Sequence, residues 1–180
     1  MEGAFKLLDH IGDAKCVGIN GLDCSGKTTL ANELLAAYGS RGIEANLLHV
    51  DDFNDLAVQN RVYSAFITGD FSPALFEEYY QSSVNYAALG DTIERHKQQS
   101  KDILIVEGVF LFRSSLADMF DYKIFIDVDP PIACERYAVR KKAAGDTRPI
   151  EVFNEIWLPA FECYCAEVQP AEIADTVLKA

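Results

Sequence analysis

Gly21-Leu22-Asp23-Cys24-Ser25-Gly26-Lys27-Thr28 reads G-x-x-x-x-G-K-[ST], the spacing of a phosphate-binding loop. Each part of the pattern has a physical reason. The glycines let the backbone curl so that successive N–H groups point at phosphate oxygens. The helix that opens behind them adds the positive end of its dipole. The lysine reaches terminal phosphates, and the following hydroxyl ligates Mg²⁺. The pattern carries meaning only between a strand and a helix. Before it, Cys16-Val17-Gly18-Ile19-Asn20 is short and apolar, as a buried strand is. After it, Thr29-Leu30-Ala31-Asn32-Glu33-Leu34-Leu35 repeats leucine at helical spacing. The candidate residues for holding nucleotide phosphates are Gly21, Asp23, Cys24, Ser25, Gly26, Lys27, Thr28 and Thr29.

Working outward, the chain alternates strands with helices. Residues 4–13 suit a short amphipathic helix, and residues 43–50 a second strand running into Asp51-Asp52-Phe53. Residues 56–99 read as mostly helical, broken at Gly69-Asp70-Phe71-Ser72-Pro73, with Ser72 a cap and Pro73 the first helical residue. Ile103-Leu104-Ile105-Val106 is a continuous apolar run, expected of a parallel strand covered on both faces, and it ends in Glu107-Gly108. Residues 122–128 make a fourth strand, and Pro130-Pro131 opens a helix that breaks at Gly145. A last helix over 150–168, bent near Pro159, precedes a terminal strand at 176–178. The pattern predicts an α/β fold: a parallel five-stranded sheet with helices on both faces. The 180 residues suit one domain over 1–180, with a lid segment at about 136–149.

Ligands of such sheets bind at the carboxyl ends of the strands. The loop, Asp51 and Glu107 each follow a strand at once, so all three are expected in one crevice. Asp51 is the candidate base toward an acceptor hydroxyl. Thr28, Asp51 and Glu107 are the candidate Mg²⁺ residues, Asp51 and Glu107 acting through water or at one remove. The competing reading of Asp51-Asp52 is a pair of caps before the next helix. Arg136 and Arg140 stand four apart on one helical face and are candidates to meet charge on transferring phosphates. Lys141 and Lys142 read as a solvated face. Residues 53–86 are rich in aromatics, as a wall for a flat acceptor would be. Phe53, with Tyr79 or Tyr80, is the candidate there, and Arg61 either touches substrate or pairs with an acidic neighbour. Trp157, Pro159 and Phe161 read as a packing cluster.

The net charge of −12 argues against a nucleic-acid or anionic-membrane partner. The N-terminus shows no basic region followed by an apolar run, and no apolar stretch reaches membrane-spanning length. Five scattered cysteines do not make a disulfide framework. A cytoplasmic protein with reduced thiols is expected.

In these pieces the chain resembles the uridine kinase-like branch of P-loop kinases, which includes uridine-cytidine kinases, nicotinamide riboside kinases, phosphoribulokinase and pantothenate kinase. The resemblance lies in residues 21–29, in Asp51-Asp52-Phe53, in Glu107-Gly108-Val109-Phe110-Leu111-Phe112, in the Arg136/Arg140 helix and in Trp157-Leu158-Pro159-Ala160-Phe161-Glu162, in family order. It implies a P-loop NTPase fold and transfer of the γ-phosphoryl of ATP, with Mg²⁺, to a hydroxyl of a small molecule, often the 5′-hydroxyl of a ribonucleoside. It implies Asp51 as proton acceptor, Thr28 and Asp51 at the metal, Lys27 on the ATP phosphates, and Arg136 and Arg140 as lid residues. The chain departs from uridine kinases in its short helical stretch between Tyr86 and Ile103, and in offering Lys141-Lys142 where the family's lid continues in arginine. Two other readings stay open: a regulatory module that binds nucleotide without transfer, and a kinase for a sugar or vitamin precursor.

Overall fold

A computed structural model describes residues 2–180. Helix α1 (Glu2–Ile11) leads into β1 (Cys16–Gly21), the loop, and α2 (Lys27–Ser40). Strand β2 (Ala45–His49) passes through a 3₁₀ turn, Val50–Phe53, to three helices: α3 (Leu56–Thr68), α4 (Pro73–Ser82) and α5 (Tyr86–Gln99). Then come β3 (Ile103–Gly108), β4 (Tyr122–Asp127), α6 (Pro130–Ala144), a π-helical turn at Phe153–Trp157, α7 (Leu158–Val168), α8 (Pro170–Ile173) and β5 (Thr176–Lys179). The five strands form one parallel sheet in the order β2-β3-β1-β4-β5, the architecture expected from the alternation.

The sheet sorts its side chains by parity, because successive strand residues face opposite ways. Val17, Ile19, Ile103 and Ile105 meet α1 and α2 on one face, with Ala31, Leu34 and Ala37 closing the layer. Cys16, Leu104 and Val106 meet α5 on the other, with Leu89, Ile93 and Phe120. Strands β1 and β3 are buried throughout, which explains their unbroken apolar run. A further cluster beyond the strand ends joins α3, α4 and α7 through Val58, Tyr79, Phe110, Trp157 and Tyr164.

Several boundaries differ from the sequence reading. The second strand is shorter than 43–50, because residues 43 and 44 have no ladder partner and Val50 already turns into the 3₁₀ segment. The fourth strand ends at Asp127 rather than residue 128. The bend near Pro159 is a π turn: the Leu158 N–H reaches back to the Phe153 carbonyl, widening the helix one turn before a residue that has no N–H to donate.

Two contacts align the strand ends. Buried Asn20 closes β1 by donating to the Tyr164 hydroxyl (2.7 Å), which accepts in turn from the Phe112 N–H (2.9 Å). This ties β1, the segment after β3 and α7 into one polar knot. Gly108 ends β3 where a β-carbon would lie 2.3 Å from Val50 Cβ, so only glycine lets the Asp51 turn pack on β3. Replacing Gly108 by Ala should therefore lower the unfolding free energy by about 1–3 kcal/mol, read from urea denaturation. Adding Val50→Ala should restore only part of it, since the clash reaches the Val50 β-carbon as well as its methyls.

Candidate active site

The loop after β1 folds as its glycines allow. Gly26 caps α2 in the left-handed region (φ 102°), and Cys24 also sits there (φ 60°), so the chain reverses twice within three residues. A β-carbon on Gly21 would meet the Ile126 carbonyl oxygen at 2.7 Å, so the start of the loop lies flat on β4. Lys27 is buried at the first turn of α2, and its ammonium donates to the Leu22 carbonyl (2.7 Å). Arg136 leans in from α6 and donates to the Cys24 carbonyl (3.4 Å).

The expected convergence is present. A cavity of about 410 Å³ is lined by Asp23, Cys24, Gly26, Lys27, Thr28, Thr29, Asp51, Glu107, Arg136 and Arg140. In it the Thr28 hydroxyl donates to Glu107 Oε1 (3.1 Å), and the same oxygen lies 2.6 Å from His49 Nδ1. The register pairs His49 with Glu107, which is why the end of β2 presents its imidazole there. Asp51 is reached by water, yet the crevice walls strip much of its hydration and raise its pKa. Asp23 and Glu107 push the same way, while Lys27 and Arg140 oppose them. Burial pushes the Cys24 thiol up, the reverse of an activated thiolate.

No group of three or more His, Cys, Asp or Glu side chains able to cage a metal occurs among the described residues. The donors present are instead hard oxygens on an open wall: the Thr28 hydroxyl and the Glu107 and Asp51 carboxylates. That set fits Mg²⁺, which keeps waters and shares its remaining positions with phosphate.

A second cavity, of about 160 Å³, shares Asp23, Asp51, Val109 and Arg140 with the first. Its far wall is Tyr63 and Gln59 from α3, Tyr79 from α4, Phe110 and Trp157, with Asn54 and Arg148 at the edge. Trp157 Nε1 donates to the Tyr63 hydroxyl (3.0 Å). The Arg148 guanidinium lies over both rings, 5.1 Å from the Trp157 centroid and 5.4 Å from that of Tyr63. Asp146 holds it there with two-pronged bonds, Nη2 to Oδ2 at 2.6 Å and Nε to Oδ1 at 3.0 Å. The segment carrying Asp51 is stapled in place by Asp55 N–H to the Ser83 carbonyl (2.9 Å) and Asn85 N–H to the Phe53 carbonyl (2.8 Å).

Of the acceptor-side candidates, the structure brings Tyr79 to the second cavity but not Phe53, Arg61 or Tyr80. Phe53 turns back and packs on the cluster of Val50, Val84 and Leu89, because its 3₁₀ turn faces its ring toward α5. Arg61 is an exposed ion pair with Glu78, one helix over, its Nε 3.1 Å from Glu78 Oε2. Tyr80 caps Glu167 with its hydroxyl (2.5 Å), away from Asp51. Sequence reasoning did not assign Tyr63 or Trp157 to a site, and it grouped Arg148 with the basic lid residues toward ATP rather than with this second cavity. The one available signal was local: Gln59 and Tyr63 stand four apart on α3, on the face following Asp51.

Comparisons with known proteins agree with this geometry. A family model described as AAA domain matches residues 17–157. Uridine kinase from Leuconostoc citreum is 30% identical over 132 residues, covering 64% of this chain and 63% of that protein. Uridine-cytidine kinase 2-B of Danio rerio is 22% identical over 190 residues, covering 90% of this chain and 71% of that protein. The chain thus spans about 63% of the length of the bacterial uridine kinases it matches first. A structure described as a "possible uridine kinase" from Bacillus stearothermophilus superposes with TM-score 0.68 at 23% identity, covering 98% of both chains; it shares the fold.

The Asp146–Arg148 pair has a pH signature. Arg148 holds the Asp146 carboxyl well below its ordinary range in the folded protein. As pH falls the unfolded chain takes the proton first, so the pair's contribution is full above about pH 5, shrinks progressively below about pH 4, and is gone only once pH passes the much lower folded-state pKa. Asp146→Asn should lower the thermal midpoint at pH 7, and the gap to the parent should close at acid pH.

Proposed function

We propose, from the premise that this chain belongs to the AAA domain family of P-loop proteins, that it is an ATP- and Mg²⁺-dependent kinase acting on a hydroxyl of a nucleoside. One observation carries the reading: the phosphate-loop cavity and the aromatic-walled cavity share a wall, and Asp51 stands in it. A binder of nucleotide alone has no use for a second chamber meeting the first at a carboxylate. The similarity to proteins named uridine kinase points the same way.

In this reading the loop N–H groups and Lys27 bind the β- and γ-phosphates of ATP, Lys27 leaving the Leu22 carbonyl to do so. Thr28, with Asp51 and Glu107 behind it, would hold Mg²⁺, which supplies charge neutralisation on the phosphates. The acceptor hydroxyl oxygen attacks the γ-phosphorus, a new O–P bond forms, and the bond to the β,γ-bridging oxygen breaks to release ADP. Asp51 takes the hydroxyl proton, and its raised pKa makes it a better base than an ordinary aspartate. Arg136 and Arg140 meet charge on the transferring group. Tyr63, Tyr79 and Trp157 offer flat faces to a base.

A nucleoside fits better than a nucleotide as acceptor. Arg61 is spent on Glu78 at the surface, and Arg113 stacks on Tyr80 (4.3 Å) outside this cavity. Arg148 is already satisfied by Asp146. A phosphate on the acceptor would face carboxylates instead.

The reading is tested by ADP release with Mg²⁺-ATP across ribonucleosides, sugars and vitamin precursors; absence of any phosphorylated ribonucleoside overturns it. Asp51→Asn should lower turnover by about 10²–10⁴-fold while ATP affinity stays within about twofold. An acid limb in the parent's rate profile, reporting protonation of Asp51, should vanish in the variant.

A further inference from the structure

Asp23 is an unusual occupant of its place. It sits inside the phosphate loop, where a carboxylate repels what the loop binds, yet it lines the second cavity as well as the first. Its charge reaches Asp51, Tyr63 and Tyr79, the groups on the acceptor side. Among the described residues neither Asp23 nor Asp51 has a hydrogen-bonding or ion-pairing side chain as partner. The nearby cations are committed elsewhere: Lys27 to the Leu22 carbonyl, Arg136 to the Cys24 carbonyl and Arg148 to Asp146. Arg140 lines both cavities and is the remaining positive group at the shared wall. Two unpartnered carboxylates thus face a chamber of about 160 Å³, whose other polar groups are Arg140, the Asp146-paired Arg148, Asn54, Gln59, Ser83, two tyrosines and the Trp157 indole.

We infer that Asp23 determines acceptor specificity: its carboxylate accepts a hydrogen bond from a second hydroxyl of a neutral, polyhydroxylated acceptor and turns away acceptors that already carry a phosphate. A carboxylate facing a confined polar chamber is an acceptor without a donor, and a hydroxyl supplies that donor. Once the phosphates of ATP have engaged Arg140, the chamber is left net negative, so an added anion meets repulsion from both carboxylates. A sugar offering one hydroxyl to Asp51 for transfer and another to Asp23 for anchoring satisfies both oxygens at once. Asp23 is thereby reassigned from the phosphates of ATP, where the loop pattern alone had put it, to the second substrate. This inference rests on the kinase reading.

The test uses the full chain with Mg²⁺-ATP, measures kcat and KM for uridine, 2′-deoxyuridine and 3′-deoxyuridine, and measures uridine 5′-monophosphate as a competitive inhibitor against uridine. The parent should lose about 10- to 100-fold in kcat/KM on one of the two deoxynucleosides, the range of a hydrogen bond to a charged group. Asp23→Ala should lose a similar factor on uridine, treat uridine and that deoxynucleoside alike, and leave the KM for ATP within about twofold. Asp23→Asn, nearly the same size but uncharged, should strengthen inhibition by uridine 5′-monophosphate, relative to the KM for uridine, by about tenfold or more. If Asp23→Ala, with an unchanged thermal midpoint, discriminates between the sugars as the parent does, or raises the KM for ATP alone, the inference falls and the kinase reading stands. If the parent transfers to no ribonucleoside, both fall.

Discussion

At the carboxyl end of β3 there is room for a hydrogen atom and nothing more. Gly108 lies so close to Val50 that the turn carrying Asp51 packs directly on the strand carrying Glu107. The register then does the rest. Asn20 stands beside Gly108 and His49 beside Glu107, so the loop after β1, the turn after β2 and the carboxylate of β3 end at one level. Strands slipped by one residue would send Glu107 into the opposite layer, because the side-chain period is two. The Thr28–Glu107–His49 chain of contacts is the local record of that alignment.

Charge is arranged against the average of the molecule. A chain with net charge −12 keeps three of its sixteen basic residues, Lys27, Arg136 and Arg140, around the phosphate-loop cavity. The excess negative charge is not uniformly outside it. Asp23, Asp51 and Glu107 enter the same crevice; loss of hydration there, helped by the neighbouring carboxylates, raises the Asp51 carboxyl despite two cations nearby. Mixed charge in a partly desolvated cleft lets a base and a phosphate cradle stand side by side.

What was legible in the sequence was what lies close together along it. The loop from Gly21 to Thr28 carries its own geometry, and the buried strands announce themselves by unbroken apolar runs. Strand-end logic then brings Asp51 and Glu107 to the loop. The acceptor wall was not legible in the same way, because it is gathered from α3, α4, the segment after β3 and residues 148–157, which no spacing rule connects. Phe53 looked right by proximity to Asp51, yet a 3₁₀ turn sends its ring to the core. Arg61 and Arg148 both lie near aromatics in the sequence or the fold. Only the packing decides that one is spent on Glu78 at the surface and the other lies flat on Trp157 and Tyr63. Trp157 was correctly read as packing, but a packed ring can also be a wall.

The π-helical turn at Phe153–Trp157 sets the azimuth of everything after it. One residue more per turn than an α-helix shifts the phase of the following helix by about 100°. With that phase, Trp157, Phe161 and Tyr164 fall on one inward stripe at intervals of four and three. The first residue of the stripe faces the acceptor chamber, and the last reaches Asn20 at the end of β1. An unbroken α-helix through residues 153–157 would keep the stripe but rotate it as a whole relative to Val152 and Phe153, which are buried in the same cluster. The widened turn is thus a clocking device: it lets a single helix report to the mouth of the chamber and to the root of the phosphate loop at once.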